Sequence, residues 1–347
     1  ASAGHDVTVA VFYGGGALEN HLDRARVQLV NLDKRGRYDV VHFILHLRRV
    51  LRDRAPMILF CSLPGASLAG LIGRSFFQRP RIVWRLASTW VDYSALDTLS
   101  TMTYRVQPWL AHLTDSVVVN SRLGMSHAAK QGFPENRLTL IQNGISTDRF
   151  HPNENDRMQL RTAWDINENQ CLIGLVARID PLKDHEVFLQ AASLSAKRYS
   201  DMRFVCIGSG DAELLNKLKE QATMLGLDSV LQWVDEYSDP VAIYNALDIN
   251  TLVSKSEGFP NVVAEAMACG TPCVVTDVGD SREIVGETGK VCPSGNAEAV
   301  SEAWMQMRNH VKVYRERIAD DCRNRVIQQF SQQQMVERHI KLFEQLV

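Results

Sequence analysis

Residues 256–275 read SEGFPNVVAEAMACGTPCVV. From Val262 to Cys269 every residue but one is apolar. A helix that is apolar all round is a buried helix, and a glutamate is almost never buried without a partner. Glu265 is therefore out of place unless something holds it. Proline favours the first helical position, so a helix is predicted to begin at Pro260 and to stop at Gly270, with Pro272 beyond. Glu257 then lies in the loop before the helix and Glu265 in its second turn. Were both helical, eight residues would set them about 80° apart; with Glu257 in the loop, both carboxylates can face one cleft. Between them lie the N–H groups of Asn261, Val262 and Val263, a site that attracts anions. Carboxylates accept hydrogen bonds from hydroxyls and repel phosphate. The matching ligand carries hydroxyls at both ends and negative charge in the middle, as a nucleotide sugar does. Dipole-favoured placement near a helix start accounts equally well for Glu257, but not for Glu265.

Working outward, short apolar strand-like runs alternate with amphipathic ones. The strands are expected at 7–12, 27–32, 57–62, 81–86, 116–119 and 137–142, then at 171–177, 203–208, 229–234, 249–253 and 272–276. Helical runs are expected at 38–54, 97–113, 184–198 and 211–225. This alternation implies parallel sheets covered on both faces, one per half of the chain. The boundary falls near His151-Pro152-Asn153, where turn-forming residues gather. Residues 1–150 and 151–329 are thus read as two doubly wound α/β domains.

Ligands of such folds bind at the carboxyl ends of strands. After the strand at 171–177 come Arg178 and Lys183, just ahead of a helix starting near Asp184. Two cations before a helix N-terminus suit a diphosphate; an ordinary surface loop has the same appearance. Gly208 and Gly210 follow the next strand, either letting a ligand approach the backbone or making a tight turn.

Bulk properties narrow the classes. The 347 residues contain 45% hydrophobic and 22% charged residues, ordinary for a globular protein of about two domains. No run of about 18 apolar residues occurs, so no membrane-spanning helix is expected. The opening residues Ala1–Asp6 lead straight into a strand without a leader pattern. Seven cysteines without a CxxC read as small core residues in a reducing compartment. His42 and His46, four apart but without further ligands, read as a helix face, and no metal site is expected. Residues 1–150 hold 18 Lys and Arg against 11 Asp and Glu, net +7; the remainder is net −9. A basic half suggests an anionic partner, either phosphate groups or a membrane surface, although the run LRRVLRDRAP (47–56) is also what a solvated helix face looks like.

Four motifs occur in order: NSRLGMSHAAKQGFPENRLTLIQNGISTDRF (120–150), GLVARIDPLKDH (174–185), VCIGSGD (205–211) and EGFPNVVAEAMACGTPCVVTDVGDSREIVGETG (257–289). Together they resemble the family-four retaining glycosyltransferases of the GT-B fold, over nearly the whole chain. The resemblance implies two Rossmann-like domains facing a cleft, with a C-terminal helix at about 330–347 packing back on the first. It implies retaining, metal-independent transfer of a sugar from a nucleotide-sugar donor, UDP-linked, to a glycan or lipid-linked glycan acceptor. The nucleotide sugar is a co-substrate, and no cofactor is implied. Arg178 and Lys183 would hold the diphosphate and stabilise the leaving group. Glu257 would contact the donor sugar, Glu265 the ribose, and the Gly258-Phe259-Pro260-Asn261-Val262 backbone would lie beside sugar and phosphates. The expected setting is cytoplasmic, at the inner face of a membrane that the basic half contacts; nucleic acid is not an expected partner.

The sequence departs from the family pattern in places. Relatives begin with a strand and a glycine-rich loop ahead of the first helix, whereas this sequence opens at what reads as the end of that helix, so about 25–30 residues of the pattern are expected to be absent from it. The stretch 84–97 lacks the histidine that many relatives place near the reacting sugar, and the loop 233–239 lacks their Gly and Arg. A catalytically impaired nucleotide-sugar-binding fragment and a sugar-nucleotide epimerase on the same fold are the alternatives. An NAD-dependent dehydrogenase is disfavoured because no GxGxxG follows a strand.

Overall fold

In a computed structural model the chain is described throughout except at residues 1–3, 17–18, 20–21, 24, 37, 75–79, 87–96 and 236–238. Most of the histidine-free stretch 84–97, and residues 236–238 of the loop 233–239, therefore lie outside the described residues.

The first part of the chain runs β1 (Val7–Val11), β2 (Val27–Asn31), α1 (Val40–Arg54), β3 (Ile58–Ser62), α2 (Pro64–Gly73), β4 (Arg81–Leu86), α3 (Thr98–Leu110), β5 (Ser116–Val119), α4 (Arg122–Lys130) and β6 (Leu138–Leu140). The second runs α5 (Glu154–Ala163), β7 (Cys171–Val176), α6 (His185–Ala196), β8 (Met202–Ile207), α7 (Ala212–Met224), β9 (Leu231–Val234), α8 (Pro240–Ala246) and β10 (Ile249–Leu252). It continues with α9 (Asn261–Ala268), β11 (Cys273–Thr276), α10 (Ser281–Val285), β12 (Lys290–Cys292), α11 (Ala297–Phe330) and α12 (Gln332–Leu346). Every strand pair is parallel, as the buried, unalternating runs required.

The first half departs from the expectation of one sheet. Among the described residues β1 and β2 pair only with each other, and β3-β4-β5-β6 form a separate four-stranded sheet. Side chains join the two units instead: α1 lies against α2, where Gly73 is needed because a Cβ there would come within 2.8 Å of Leu47. In the second half six strands are ordered β12-β11-β10-β7-β8-β9. The three-residue strand β12, which carried no sequence signal of its own, closes one edge.

The second-half core is built on β7 and β8. Phe188, Phe204 and Trp304 stack at ring separations of 5.2–6.2 Å, and all three are fully buried. Burial of each such side chain contributes about 1.5–3 kcal/mol. All seven cysteines are buried and unpaired. The long helix α11 is broken at Tyr314, where the backbone turns to φ −130° and ψ 32°. After it the chain bonds at Ser331 to the Ile145 strand edge. Helix α12 then lies on the first-half sheet, with Leu342 packed among Val83, Val118 and Ile141.

Candidate active site

The strand order reverses between β10 and β7. A crevice opens at such a switch point because the connections on its two sides leave in opposite directions. The loops that follow these two strands hold most of the residues the sequence singled out.

After β7, Asp180 caps a single turn, Pro181–Lys183, by accepting from the Leu182 N–H. Its other oxygen accepts from the exposed Arg178 guanidinium at 3.0 Å. Lys183 reaches across the switch point, and its Nζ lies 2.6 Å from Glu257 Oε1 in the loop after β10. Ser254 donates to the same oxygen at 2.7 Å. The lysine side chain is 24% exposed and the glutamate 13%, so the pair is mostly shielded from water. Each of the two cations predicted to bind phosphate is thus held by a carboxylate.

Helix α9 begins one residue later than expected, because Pro260 keeps an extended ψ of 96° and serves as the cap position. No side chain caps this helix. Of the three N–H groups expected to be open, that of Val263 donates to the Pro260 carbonyl at 3.1 Å; the one-residue shift converts it into a turn bond. Among the described residues nothing accepts from the N–H groups of Asn261 and Val262.

Glu265 has the partner its position demanded. The Tyr244 hydroxyl, from α8, donates to its Oε2 at 2.9 Å. Burial raises the Glu265 carboxyl above the ordinary range, while the tyrosine bond and the Arg149 charge oppose that shift. The Tyr244 hydroxyl is itself pushed up by burial and by the neighbouring carboxylate. Neither Tyr244 nor Arg149 was singled out from the sequence. A tyrosine 21 residues upstream carries no local signal, and Arg149 was visible only as part of a motif.

The remaining predicted residues divide into backbone and side-chain roles. Gly208 has φ +139°, and a Cβ there would meet the Ala177 carbonyl oxygen at 2.2 Å. A Cβ on Gly210 would meet the Ile179 carbonyl oxygen at the same distance. Both glycines thus let the loop after β8 lie against the Ala177–Ile179 loop that carries Arg178. The Phe259 side chain is buried against Phe330, at 5.6 Å between rings, so only its backbone faces the crevice. Gly258 offers its carbonyl to the Asp280 N–H at 2.9 Å. The Val262 carbonyl accepts from Asn250 at 3.3 Å.

Asp280 ties the two halves together and escaped the sequence reading. Its buried carboxylate accepts from the Arg122 N–H at 2.9 Å and from Gln142 Nε2 at 2.7 Å. It thereby supplements Ser121 at the start of α4. Arg122 also pairs with Glu283, and Asn143 donates to the Asn261 side chain at 3.0 Å. The first residue of α9 is therefore in contact with the segment that follows β6. Among the described residues no three His, Cys, Asp or Glu side chains gather as metal ligands, and no helix is long and apolar enough to cross a membrane.

The chain also resembles known proteins over most of its length. Residues 1–149 match the family described as Glycosyltransferase Family 4, and residues 170–310 match Glycosyl transferases group 1. The capsular polysaccharide biosynthesis glycosyltransferase CapM of Staphylococcus aureus is 25% identical over 302 residues, 84% of this chain and 77% of its own length. A D-inositol 3-phosphate glycosyltransferase of Mycobacterium sp. (strain KMS) is 30% identical over 171 residues, 48% of this chain; the match spans only 38% of that relative. Among solved structures, Anabaena HepE in complex with UDP and glucose superposes with a TM-score of 0.78 at 18% identity, covering 97% of this chain and 91% of that one. Likeness at that identity speaks to the fold, which is GT-B: two Rossmann-like units facing a cleft.

Proposed function

Because the chain belongs to the group 1, family 4 glycosyltransferases, a transferase family of the GT-B fold, we propose that it moves a sugar from a UDP-linked donor to a glycan acceptor. Transfer proceeds with retention and without a metal ion. The observation that carries this reading is the Lys183–Glu257 pair at 2.6 Å across the switch point, beside the uncapped start of α9. A diphosphate entering there offers Lys183 and Arg178 a doubly charged partner in place of single carboxylates. Released from Lys183, Glu257 accepts from hydroxyls of the transferred sugar. Glu265, oriented by Tyr244, accepts from the ribose hydroxyls, and the Asn261 and Val262 N–H groups face phosphate oxygens.

In the reaction the bond from the anomeric carbon to the diphosphate oxygen breaks, and the acceptor oxygen bonds to that carbon on the same face. The acceptor proton passes to the departing diphosphate. Negative charge grows on the diphosphate as it leaves, so fixed cations beside it lower the barrier; one such preorganised donor is typically worth about 10²–10³ in rate. HepE, with UDP and glucose bound, supports the choice of donor, and CapM, named for capsular polysaccharide biosynthesis, supports a glycan acceptor. Two Rossmann-like domains, 1–150 with the helix at about 330–347 and 151–329, are the proposed functional units. The test is calorimetric titration with UDP, UDP-glucose and GDP in a metal chelator. Binding of the uridine nucleotides is expected to survive chelation and to weaken in Glu265→Ala. Undiminished UDP binding by a folded Glu265→Ala protein would refute the ribose role.

A further inference from the structure

Strand β4 carries, next to its end, a cation that the donor assignment leaves unused. Val83 packs with Leu342 of α12, and side chains alternate along a strand. Arg85, two residues on, therefore faces the same side of the sheet at its carboxyl end. The residue is partly buried, and among the described residues no carboxylate pairs with it. Its guanidinium donates instead to Asn143 Oδ1 at 3.2 Å, across 58 residues. Asn143 passes the contact on, its Nδ2 donating to Asn261 Oδ1 at 3.0 Å. The three side chains form one line from the first-half sheet to the first residue of α9. The backbone beside Asn143 is clamped: the Ile145 N–H donates to the Phe330 carbonyl and the Gln332 N–H to the Ile145 carbonyl, both at 2.8 Å. Asn143 is thus held in place, and only its amide is free to turn.

The line has a direction. A guanidinium only donates, whereas an asparagine amide has an acceptor oxygen on one side and a donor NH2 on the other. Arg85 therefore compels Asn143 to turn its oxygen toward β4 and its NH2 toward α9. Asn261 must answer with its oxygen, which leaves its own NH2 pointing away from Asn143. Asn261 is exposed, and among the described residues nothing accepts from that NH2. The group joins the open N–H groups of Asn261 and Val262, at a helix end that already favours negative charge. Without a donor-only residue at position 85 the two amides could reverse together, and Asn261 would show phosphate a carbonyl oxygen instead.

We propose that Arg85, Asn143 and Asn261 form a polarity relay. Arg85 and Asn143 are positioning residues contributed by the first half, and the Asn261 side-chain amide is a further donor to the phosphate oxygens of the nucleotide sugar. The inference rests on the donor reading above and adds to it the side chains through which the first half sets the phosphate site. It makes phosphate affinity depend on contact between the two halves.

The full chain is titrated with UDP by calorimetry and with uridine by NMR, since only UDP carries phosphate. Asn261→Ala should weaken UDP binding by about tenfold or more, as loss of a hydrogen bond to a charged group does, and leave uridine binding within about twofold. Asn143→Asp tests the direction. The new carboxylate accepts from Arg85 and from Asn261 alike, so the Asn261 oxygen is turned outward while an ion pair with Arg85 keeps the fold. UDP affinity should again fall by about tenfold or more, with the melting temperature not lowered. In the Asn261→Ala background the same change should cost about threefold or less, because the amide it acts on is gone. Arg85→Gln, whose amide accepts as well as donates, should weaken UDP by at least about twofold, the factor lost when both orientations are equally populated. A full tenfold loss from Asn143→Asp in the Asn261→Ala background would mean that the new carboxylate repels phosphate by itself, and would overturn the relay. UDP affinity that ignores Arg85→Gln would overturn it as well. UDP affinity that ignores Asn261→Ala but still falls in Glu265→Ala would overturn the relay and leave the donor reading standing. Failure of the unsubstituted chain to bind UDP would sink both.

Discussion

Replacing Lys183 by methionine removes an ammonium and keeps most of the stem. Two costs follow, and they separate. The first is to folding: among the described residues Glu257, 13% exposed, keeps only the Ser254 hydroxyl as a side-chain partner. Stranding a fully buried carboxylate costs about 3–5 kcal/mol and breaking a surface pair about 0–1. At 24% and 13% exposure this pair falls between, so a loss of about 1–3 kcal/mol is expected. The second cost is to turnover, about 10²–10³-fold if Lys183 faces the departing diphosphate. Adding Glu257→Gln removes the stranded charge while preserving a group for Ser254. It should recover most of the lost stability and none of the lost rate. Urea denaturation reads the first quantity; initial rates of UDP release from UDP-sugar per folded molecule read the second. If Glu257→Gln restores the rate together with the stability, Lys183 is only a structural counter-ion and the leaving-group role is wrong.

Glu265→Gln is expected to raise the melting temperature at neutral pH while weakening UDP binding. Burial holds this carboxyl above its ordinary value in the folded chain, so the associated stability is present at low pH and is lost as pH rises through the folded value; unchanged melting between pH 5 and 7.5 in both proteins would contradict it. His185 is 2% exposed, neither ring nitrogen has a hydrogen-bond partner, and burial, aided by the Lys183 charge and opposed by Asp180, lowers its pKa to about 4. The unfolded chain then takes the proton first, and stability should fall by about 3 kcal/mol as pH drops from about 6.5 to about 4; an imidazole NMR titration midpoint near 6.5 would remove the basis. Asp248→Asn should cost about 3–5 kcal/mol in urea unfolding, because the buried carboxylate accepts from Arg157, Arg161 and Arg315 at 2.8–2.9 Å and from the Leu172 N–H; a loss under 1 kcal/mol would show that these arginines are satisfied by the carbonyls around them.

The sequence by itself determined the parallel α/β character, the strand positions to within about two residues, and the oddity of Glu265. These features are local: hydrophobic period, glycine and proline placement, and a charge inside an apolar run are visible within one or two turns of chain. It also brought Arg178 and Lys183 forward as one pair and Glu257 and Glu265 as another, at two separate strand ends. Only the tertiary structure decided which of them meet. Lys183 reaches Glu257, 74 residues away, because β7 pairs with β10 rather than with its neighbours in sequence on both sides. Tyr244 reaches Glu265 because α8 packs beside α9. Asp280 reaches Arg122 across 158 residues because the start of α10 meets the start of α4 there. Strand order and helix packing are fixed by the summed burial of the whole core, and no short stretch of residues carries that sum.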